Sequence, residues 1–402
     1  RVTIKNGTVK MGTVVNGSTS ESGYTIYVNT AEGENVTLNL EDVTVIGGEN
    51  QKSGVTDATV EQLIANGMKG YQTTAGTALY IYGKMSDGNT IVNIKNSTII
   101  GGYGSATNGT QTKYISGGAN MADGGDAITA IGDNVVLTII DGSTIKGGDS
   151  DLRNAGIGVE LQSGTLTVDG STVTGGSCLK CDKSYGMAGD AVYVGSAAKS
   201  ATIKSSTVIG GNGGYSYDGS GVEIRKNDKA PATVTIEDST IKSGNGENAN
   251  KDYAGAIYLG GWDDSTDLTL KGDNTLAGSD GKYGVIRGGV TDGIKLDGNL
   301  TIDEGTLKDT LLTEVSAGST IKSGENAKVD ADTVVSSDEN AAMDTTPSAD
   351  GTYSFVAAVA QVIDRVGNKL SYASIDAAIA AADAGETVKL LADVTADVVI
   401  NK

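Results

Sequence analysis

A six-residue motif, Ser-Thr followed by two residues and Gly-Gly, recurs along most of the chain and constrains its fold more than any other feature. Successive copies are between 28 residues apart, from Thr144 to Thr172, and 54 residues apart, from Thr44 to Thr98. A unit that recurs with insertions of variable length is typical of a solenoid and disfavours a propeller. Aligned on the threonine, the copies stand at Thr44, Thr98, Thr144, Thr172, Thr207, Thr240, Thr275 and Thr320.

Two further strand-like segments precede each copy. The nearer one alternates apolar and polar residues, as in "TVTIEDS", and the more distant one begins with glycine, as in "GDAVYVG" and "AGAIYLGG". Three strands per unit, short corners and one variable loop predict an all-β fold, a right-handed parallel β-helix with about three strands per coil. We expect this solenoid to cover residues 1–340.

The motif itself suggests a role for each residue type. The threonine and the β-branched residue after it form a short strand, and stacked Ser or Thr hydroxyls can hydrogen-bond to the neighbouring coil. The two glycines are expected to adopt positive φ at a sharp corner. Because the calcium-binding RTX nonapeptide is absent, we interpret the acidic or amide residue before several copies as a corner residue that bonds its own backbone. These residues are Asp42, Asn96, Asp141, Asp169 and Asp238.

Composition excludes several classes of protein and partner. A core of large aromatic side chains is excluded, because the chain has 1 Phe and 1 Trp beside 59 Gly. The formal net charge of −20 disfavours binding to nucleic acid or anionic lipid. No apolar run approaches the ~20 residues that a membrane span requires.

The two cysteines, Cys178 and Cys181 in "SCLKCDK", fit either a short disulfide or half of a zinc or redox motif. A zinc site needs further thiolate or imidazole ligands, and the chain has 0 His and 2 Cys. We therefore predict a disulfide, with no metal and no cofactor.

The C-terminal part differs from the repeats. A polar stretch at residues 341–356 is predicted to be a linker. After it, Ser374 can cap a helix over residues 375–383 that stops at Gly385, and two strands, "TVKLLADV" and "ADVVINK", follow. We expect residues 357–402 to form a strand-helix-strand unit.

The segment "SYASIDAAIAAADAGETVKLLADVTADVVINK" resembles the entry unit of pectin-lyase-like β-helix modules in large secreted proteins of Gram-positive, gut-type bacteria. The repeats resemble the same superfamily in pattern and composition. The resemblance implies a secreted or cell-surface protein and a unit that begins a further β-helix. Since Arg1 begins in mid-solenoid without Met, the chain is expected to be a processed product or a piece of a longer one. Residues 357–402 then either cap the next molecule in a head-to-tail fibre or belong to a tandem array.

We therefore expect a structural or adhesive rod that carries weak contacts in its loops. Aromatic residues that precede successive glycine-led strands could hold a glycan on a host surface, because rings stack on sugars. The alternative is that they only cover the bases of the loops. The candidate ligand-binding residues are Tyr185, Tyr215, Tyr217, Tyr253, Trp262 and Tyr283.

An enzyme is the alternative class, since proteins of this superfamily are often polysaccharide lyases or hydrolases. A lyase of that kind would need an Arg or Lys base beside clustered Asp residues, and "GGWDD" suggests paired carboxylates for a hydrolase. Without a recognised catalytic motif we predict that the chain is not an enzyme. The nearest catalytic candidates are Arg225, Arg287, Asp218, Asp252, Asp263 and Asp264.

Overall fold

The computed structural model describes most of the chain. The described residues are 1–12, 14–15, 23–31, 33–51, 72–83, 88–104, 121–151, 154–179, 186–213, 218–225, 227, 230–245, 255–260, 266–278, 284–288 and 293–395.

Strands account for nearly all regular structure. The first eleven are β1 Val2–Lys10, β2 Val14–Val15, β3 Tyr24–Thr30, β4 Val36–Ile46, β5 Asn50–Gln51, β6 Gln72–Thr74, β7 Thr77–Gly83, β8 Thr90–Lys95, β9 Thr98–Ile100, β10 Met121–Asp123 and β11 Ile128–Ile131. The next eleven are β12 Val135–Ile140, β13 Thr144–Lys146, β14 Val159–Asp169, β15 Thr172–Thr174, β16 Val192–Lys204, β17 Thr207–Ile209, β18 Val222–Arg225, β19 Thr233–Glu237, β20 Thr240–Lys242, β21 Ile257–Gly260 and β22 Asp267–Ala277. The remaining elements are β23 Ile286–Arg287, β24 Ile294–Leu307, β25 Thr310–Val315, β26 Thr320–Val329, β27 Val334–Ser336, β28 Ala341–Met343, β29 Thr352–Ala357, β30 Ala360–Ile363, β31 Lys369–Tyr372, the helix α1 Ile375–Ala381 and β32 Thr387–Leu390.

These strands form a parallel β-helix, as the repeat predicts. Each strand of one coil pairs in parallel with its equivalent in the next coil, so the motif threonines stand in register. The register adds two coils that the motif search misses, at Thr8 and Thr301, whereas Thr320 pairs with Asn299. The stacked threonines are Thr8, Thr44, Thr98, Thr144, Thr172, Thr207, Thr240, Thr275 and Thr301.

Aliphatic side chains fill the interior of the coils. On β8, buried and half-buried residues alternate, and on each short motif strand only the middle residue is buried, as in Val208 of β17. Large buried residues are Leu and Ile, in agreement with the shortage of aromatics. Because each coil stacks on its neighbours, the apolar surface forms one continuous core.

The serine of the motif is buried and satisfies the backbone of the neighbouring coil. The Ser206 hydroxyl donates to Lys204 O (2.6 Å) and accepts from the Ser171 N–H (3.2 Å). The same contact joins Ser239 to the Ser206 N–H (3.1 Å). The expected bonding between stacked hydroxyls and the next coil is therefore confirmed for serine.

The residues before the motif adopt the left-handed conformation, as in Asp42 (φ 55°) and Asp238 (φ 49°). In the coil of Asp169 the following glycine, Gly170, takes it instead (φ 58°). Their side chains bond across coils rather than to their own turn, since Asn96 Nδ2 donates to Asp42 Oδ1 (2.6 Å). Asp and Asn tolerate positive φ, which is why they stand at this corner.

The Gly-Gly pairs are required for a different reason from the one expected. None of these glycines is among the positive-φ residues. Instead, backbone carbonyls of adjacent coils occupy the space where a Cβ would lie, except at Gly48, where a Cβ would meet the Met11 side chain. Ten N–H to carbonyl hydrogen bonds of 2.8–2.9 Å join described glycines in an unbroken line along the axis, which we call the glycine spine. Its members are Gly48, Gly76, Gly102, Gly125, Gly148, Gly156, Gly176, Gly189, Gly211, Gly219 and Gly244.

Every second bond of the glycine spine closes a loop. The Gly189 N–H donates to Gly176 O (2.9 Å) across residues 177–188, and the Gly219 N–H donates to Gly211 O (2.9 Å) across residues 212–218. The intervening bonds join one coil to the next, as between Gly211 and Gly189. Each such loop therefore leaves and re-enters the solenoid at adjacent hydrogen-bonded glycines.

Residues 341–356 contain two strands, although the sequence suggests a linker. β28 pairs antiparallel with β29, and β29 also pairs antiparallel with β26 of the solenoid. Ala341 and Met343 are buried in the main core, and Phe355 packs against it. Apolar residues within a polar stretch thus extend the core beyond the expected boundary at residue 340.

The C-terminal unit has its own small core. β30 pairs antiparallel with β31 and β32, and Ala378 of α1 and the residue that follows the helix, Ala382, pack against Ala360 and Val362. Ser374 caps α1 as predicted, its hydroxyl accepting the Ala377 N–H (3.1 Å), while the helix ends at Ala381. The unit contacts the solenoid of its own chain, where Ser336 pairs with Ser371. The second predicted strand, at 396–402, lies outside the described residues.

The helix α1 is seven residues long. Within the part of the chain that the structure describes, no helix is long and apolar enough to cross a membrane.

Candidate functional site

The glycine-led strands present one outward row of polar and aromatic side chains. On β18, for example, Val222 and Ile224 belong to the core, so Glu223 lies on the opposite face of the strand. The register carries this position from coil to coil, and we call the resulting line the outer row. Its members are Tyr27, Tyr80, Thr129, Glu160, Tyr193, Glu223, Tyr258 and Arg287.

A groove of about 440 Å³ lies beside the second half of this row. The outer row and residues next to the glycine spine line it. Four acidic and two basic side chains are among the lining residues. The lining is Asp126, Asn154, Ala155, Ile157, Met187, Ala188, Gly189, Asp190, Tyr193, Asp218, Ser220, Glu223, Arg225, Tyr258 and Arg287.

Asp190 and Glu223 form a carboxyl pair in the groove. Asp190 Oδ1 accepts the Ser220 N–H (2.6 Å), and its carboxyl also hydrogen-bonds to Glu223, which is only 7% exposed. Burial, followed by the nearby charge of Glu223, raises the pKa of Asp190 well above its usual value. The raised pKa favours the protonated form of Asp190, and a carboxyl pair that shares a proton can both donate and accept hydrogen bonds.

Asp126 and Glu160 repeat this arrangement two coils earlier. Asp126 accepts the Ile157 N–H at Oδ1 (2.7 Å) and the Thr129 hydroxyl at Oδ2 (3.1 Å). Burial and the neighbouring Glu160 raise the pKa of Asp126 to about 7, against the lowering effect of these hydrogen bonds. Both aspartates follow glycine and precede alanine, in "GGDA" and "AGDA", so the same strand start positions them.

Arginines connect the carboxyl and tyrosine groups. Arg225 Nε lies 2.7 Å from Glu223 Oε1, and the Arg225 guanidinium lies 5.7 Å from the Tyr193 ring centroid. The Arg287 guanidinium lies 4.4 Å from the Tyr258 ring centroid. Cation–π contacts of this kind hold the rings in place beside the acids.

Such a lining suits an uncharged polyhydroxylated ligand. Carboxyl groups bind hydroxyls in both directions when one proton is shared, and aromatic rings pack against the apolar faces of sugars. The acidic side chains outnumber the arginines, which disfavours an acidic ligand. The arrangement can therefore recognise a neutral saccharide.

The structure places three of the sequence candidates in the groove: Arg225, Arg287 and Asp218. Asp218 is buried and accepts the Gly213 N–H (2.9 Å). The other named candidates lie outside the described residues, and the interpretation of the tyrosines as glycan-binding stays a prediction. They are Tyr185, Tyr215, Tyr217, Tyr253, Trp262, Tyr283, Asp252, Asp263 and Asp264.

Sequence reasoning missed the residues of the outer row other than Arg287. Tyr193 and Tyr258 stand inside the glycine-led segments "GDAVYVG" and "AGAIYLGG", at the position that alternation directs outward. Aligning these segments, rather than the motif alone, would have placed the two tyrosines and Glu223 in one row. The signal was present but spread over units about 30 residues apart.

Cys178 is buried and disulfide-bonded. Its backbone N–H donates to Asn212 O (2.9 Å), and Cys178 also forms an isolated parallel β-bridge with Ser150. Cys181 lies outside the described residues.

No protein-family model matches the sequence, and no curated protein matches it significantly. Among solved structures, the crystal structure of pectate lyase Pel9A is similar to this chain, with a TM-score of 0.27 and 12% sequence identity. The similarity covers 75% of this chain and 69% of that chain.

Proposed function

We propose that this protein is a secreted, rod-shaped surface protein whose groove binds a neutral glycan. The observation that carries the proposal is the outer row, which brings Tyr193, Glu223 and Tyr258 from three successive coils to one edge of the groove. A volume of about 440 Å³ suits a ligand of a few sugar units. The disulfide at Cys178 supports an oxidising, extracytoplasmic location.

Binding to defined glycans tests the proposal. The purified chain is titrated by calorimetry with neutral, acidic and amino trisaccharides. We expect the neutral class to bind and Tyr258→Ala to weaken it about tenfold, because the ring and the Arg287 contact are lost together. Val366→Ala, at an exposed position of the C-terminal unit outside both the groove and the outer row, is the control. Preference for the acidic trisaccharide, or equal affinity of Tyr258→Ala and the parent, would overturn the proposal.

Cleavage of the bound glycan is the alternative function. Retaining glycosidases hold their two carboxyls about 5 Å apart, and inverting ones hold them further apart. The carboxyls of Asp190 and Glu223 are instead in direct hydrogen-bond contact. This geometry favours holding a hydroxyl over hydrolysis. New reducing ends after long incubation with the bound glycan would favour the enzyme instead.

The head-to-tail fibre stays a prediction. Electron microscopy of the purified protein at several concentrations tests it. Filaments that lengthen with concentration support polymerisation, and isolated rods of one length contradict it.

A further inference from the structure

A second aromatic surface lies at the other end of the outer row. Tyr24 stacks on Tyr80 with ring centroids 4.1 Å apart, and Tyr27 lies 5.5 Å from Tyr24 and 5.8 Å from Tyr80. Tyr24 is 38% exposed and Tyr27 is 51% exposed. We call Tyr24, Tyr27 and Tyr80 the tyrosine stack. Exposed rings held against one another form a rigid binding surface, because little side-chain freedom remains to be lost on binding.

The tyrosine stack and the groove belong to one line of side chains. Tyr27 and Tyr80 occupy the same register position as Tyr193 and Tyr258. Tyr80 is five coils from Tyr258, a separation of about 24 Å at the usual distance between paired strands. Glu160 lies between the two sites in the outer row; burial is the main cause of the raised pKa of both Tyr80 and Tyr193, and the charge of Glu160 adds to it.

The chemistry of the tyrosine stack restricts its ligand. Asn29 and Tyr82 extend the same face of β3 and β7, so this end of the row is lined by rings, hydroxyls and an amide. Such a surface recognises a ligand by ring packing and hydroxyl contacts, not by charge. Its ligand is therefore of the same neutral kind as that of the groove.

We propose that the outer row is one elongated binding surface on which a linear neutral glycan runs parallel to the rod axis, with the tyrosine stack as a second sugar subsite. This inference rests on the proposed binding of a neutral glycan in the groove. Short glycans then occupy the groove alone, whereas chains that span about 24 Å engage both subsites. Occupation of two linked subsites raises affinity steeply with chain length.

A length series of linear neutral gluco-oligosaccharides, from disaccharide to octasaccharide, tests the proposal on the full chain by calorimetry. We expect the octasaccharide to bind about 100-fold more tightly than the disaccharide. Tyr27→Ala should weaken the octasaccharide about three- to tenfold and leave the disaccharide unchanged. Tyr27→Trp should retain both affinities, because the indole preserves the stacking surface. Since Tyr27 is 51% exposed, both variants should still fold, and thermal unfolding checks this.

The outcomes separate the two proposals. If Tyr258→Ala weakens every chain length while Tyr27→Ala weakens none, the groove stands and the second subsite is overturned. If no oligosaccharide binds, the proposed binding of a neutral glycan in the groove is overturned. If Tyr27→Ala changes sedimentation of the protein but not binding of the octasaccharide, the tyrosine stack is a contact between copies of the chain, and the subsite is again overturned.

Discussion

The carboxyl group of Asp126 is hydrogen-bonded to that of Glu160 on the next coil. Burial of Asp126 is the main cause, and the nearby charge of Glu160 adds to it, so the pKa of Asp126 rises from 3.8 to about 7. The unfolded chain loses this proton at lower pH than the folded protein. The folded state therefore becomes less stable as the pH rises from about 4 to about 7.

We predict that Asp126→Asn removes this loss of folding stability with rising pH. The amide stays uncharged while its oxygen still accepts the Ile157 N–H. The variant should match the parent at pH 4 and exceed its free energy of unfolding at pH 8 by about 1–2 kcal/mol. Chemical unfolding at both pH values measures this difference. The exposed Asp141→Asn is the control, and a difference for Asp126→Asn that is equal at both pH values would contradict the prediction.

The glycine spine should be intolerant of side chains. A Cβ on Gly176 would overlap the carbonyl oxygen of Gly148, and no side chain is available to yield. We expect Gly176→Ala to cost about 3 kcal/mol or to prevent folding. Gly7→Ala is the matched control, because a Cβ there meets nothing within 4 Å. Similar urea midpoints for the two variants would show that the spine can relax.

The buried serines should contribute through the neighbouring coil. Removal of the hydroxyl in Ser206→Ala leaves the Ser171 N–H without its acceptor, whereas Lys204 O still accepts the Gly170 N–H (3.0 Å). An unsatisfied buried group costs about 1–3 kcal/mol, and we expect a loss in that range. Thr207→Ala, at a half-buried position of β17, should cost about 0.5 kcal/mol. Urea unfolding of both variants gives the comparison, and the reverse order would count against the serine contacts.

The Arg225 side chain should matter mainly because it neutralises Glu223. We expect Arg225→Met to lower the free energy of unfolding by about 1–2 kcal/mol, a modest value because the arginine side chain is 42% exposed. The double variant Glu223→Gln with Arg225→Met should recover most of the loss. A double-mutant cycle measures the coupling, and additive effects of the two changes would show that the pair does not interact.

The sequence was sufficient for the solenoid because each coil repeats the same alternation and the same corner. Thr44 and Thr98 could be aligned by eye, and their strands pair in that register. The coil at Thr301 was harder to detect because Leu300 replaces the serine of the motif and Glu304 replaces its first glycine. The motif glycines could be recognised as essential from the sequence. The reason that they are required lies in contacts between coils, which a single repeat unit does not contain.

The groove was only partly predictable for the same physical reason. Arg225 and Arg287 could be singled out as rare charged residues near glycine-led strands. The pairing of Asp190 with Glu223 depends on strand register and on burial by neighbouring coils, so neither residue is distinctive within its own unit. A site formed by side chains from several stacked coils can be predicted only once the strand register is known.

The loop-closing bonds of the glycine spine allow the surface loops to vary independently of the solenoid scaffold. Each loop leaves and re-enters the solenoid at two adjacent glycines, whether the loop has the seven positions of residues 212–218 or the far longer span of residues 49–75. Lengthening a loop adds only about 0.6 kcal/mol of closure entropy for each doubling. Loops could therefore be exchanged between coils, or diversified in a library, while the scaffold keeps its register, so new surface specificities can arise without a new fold.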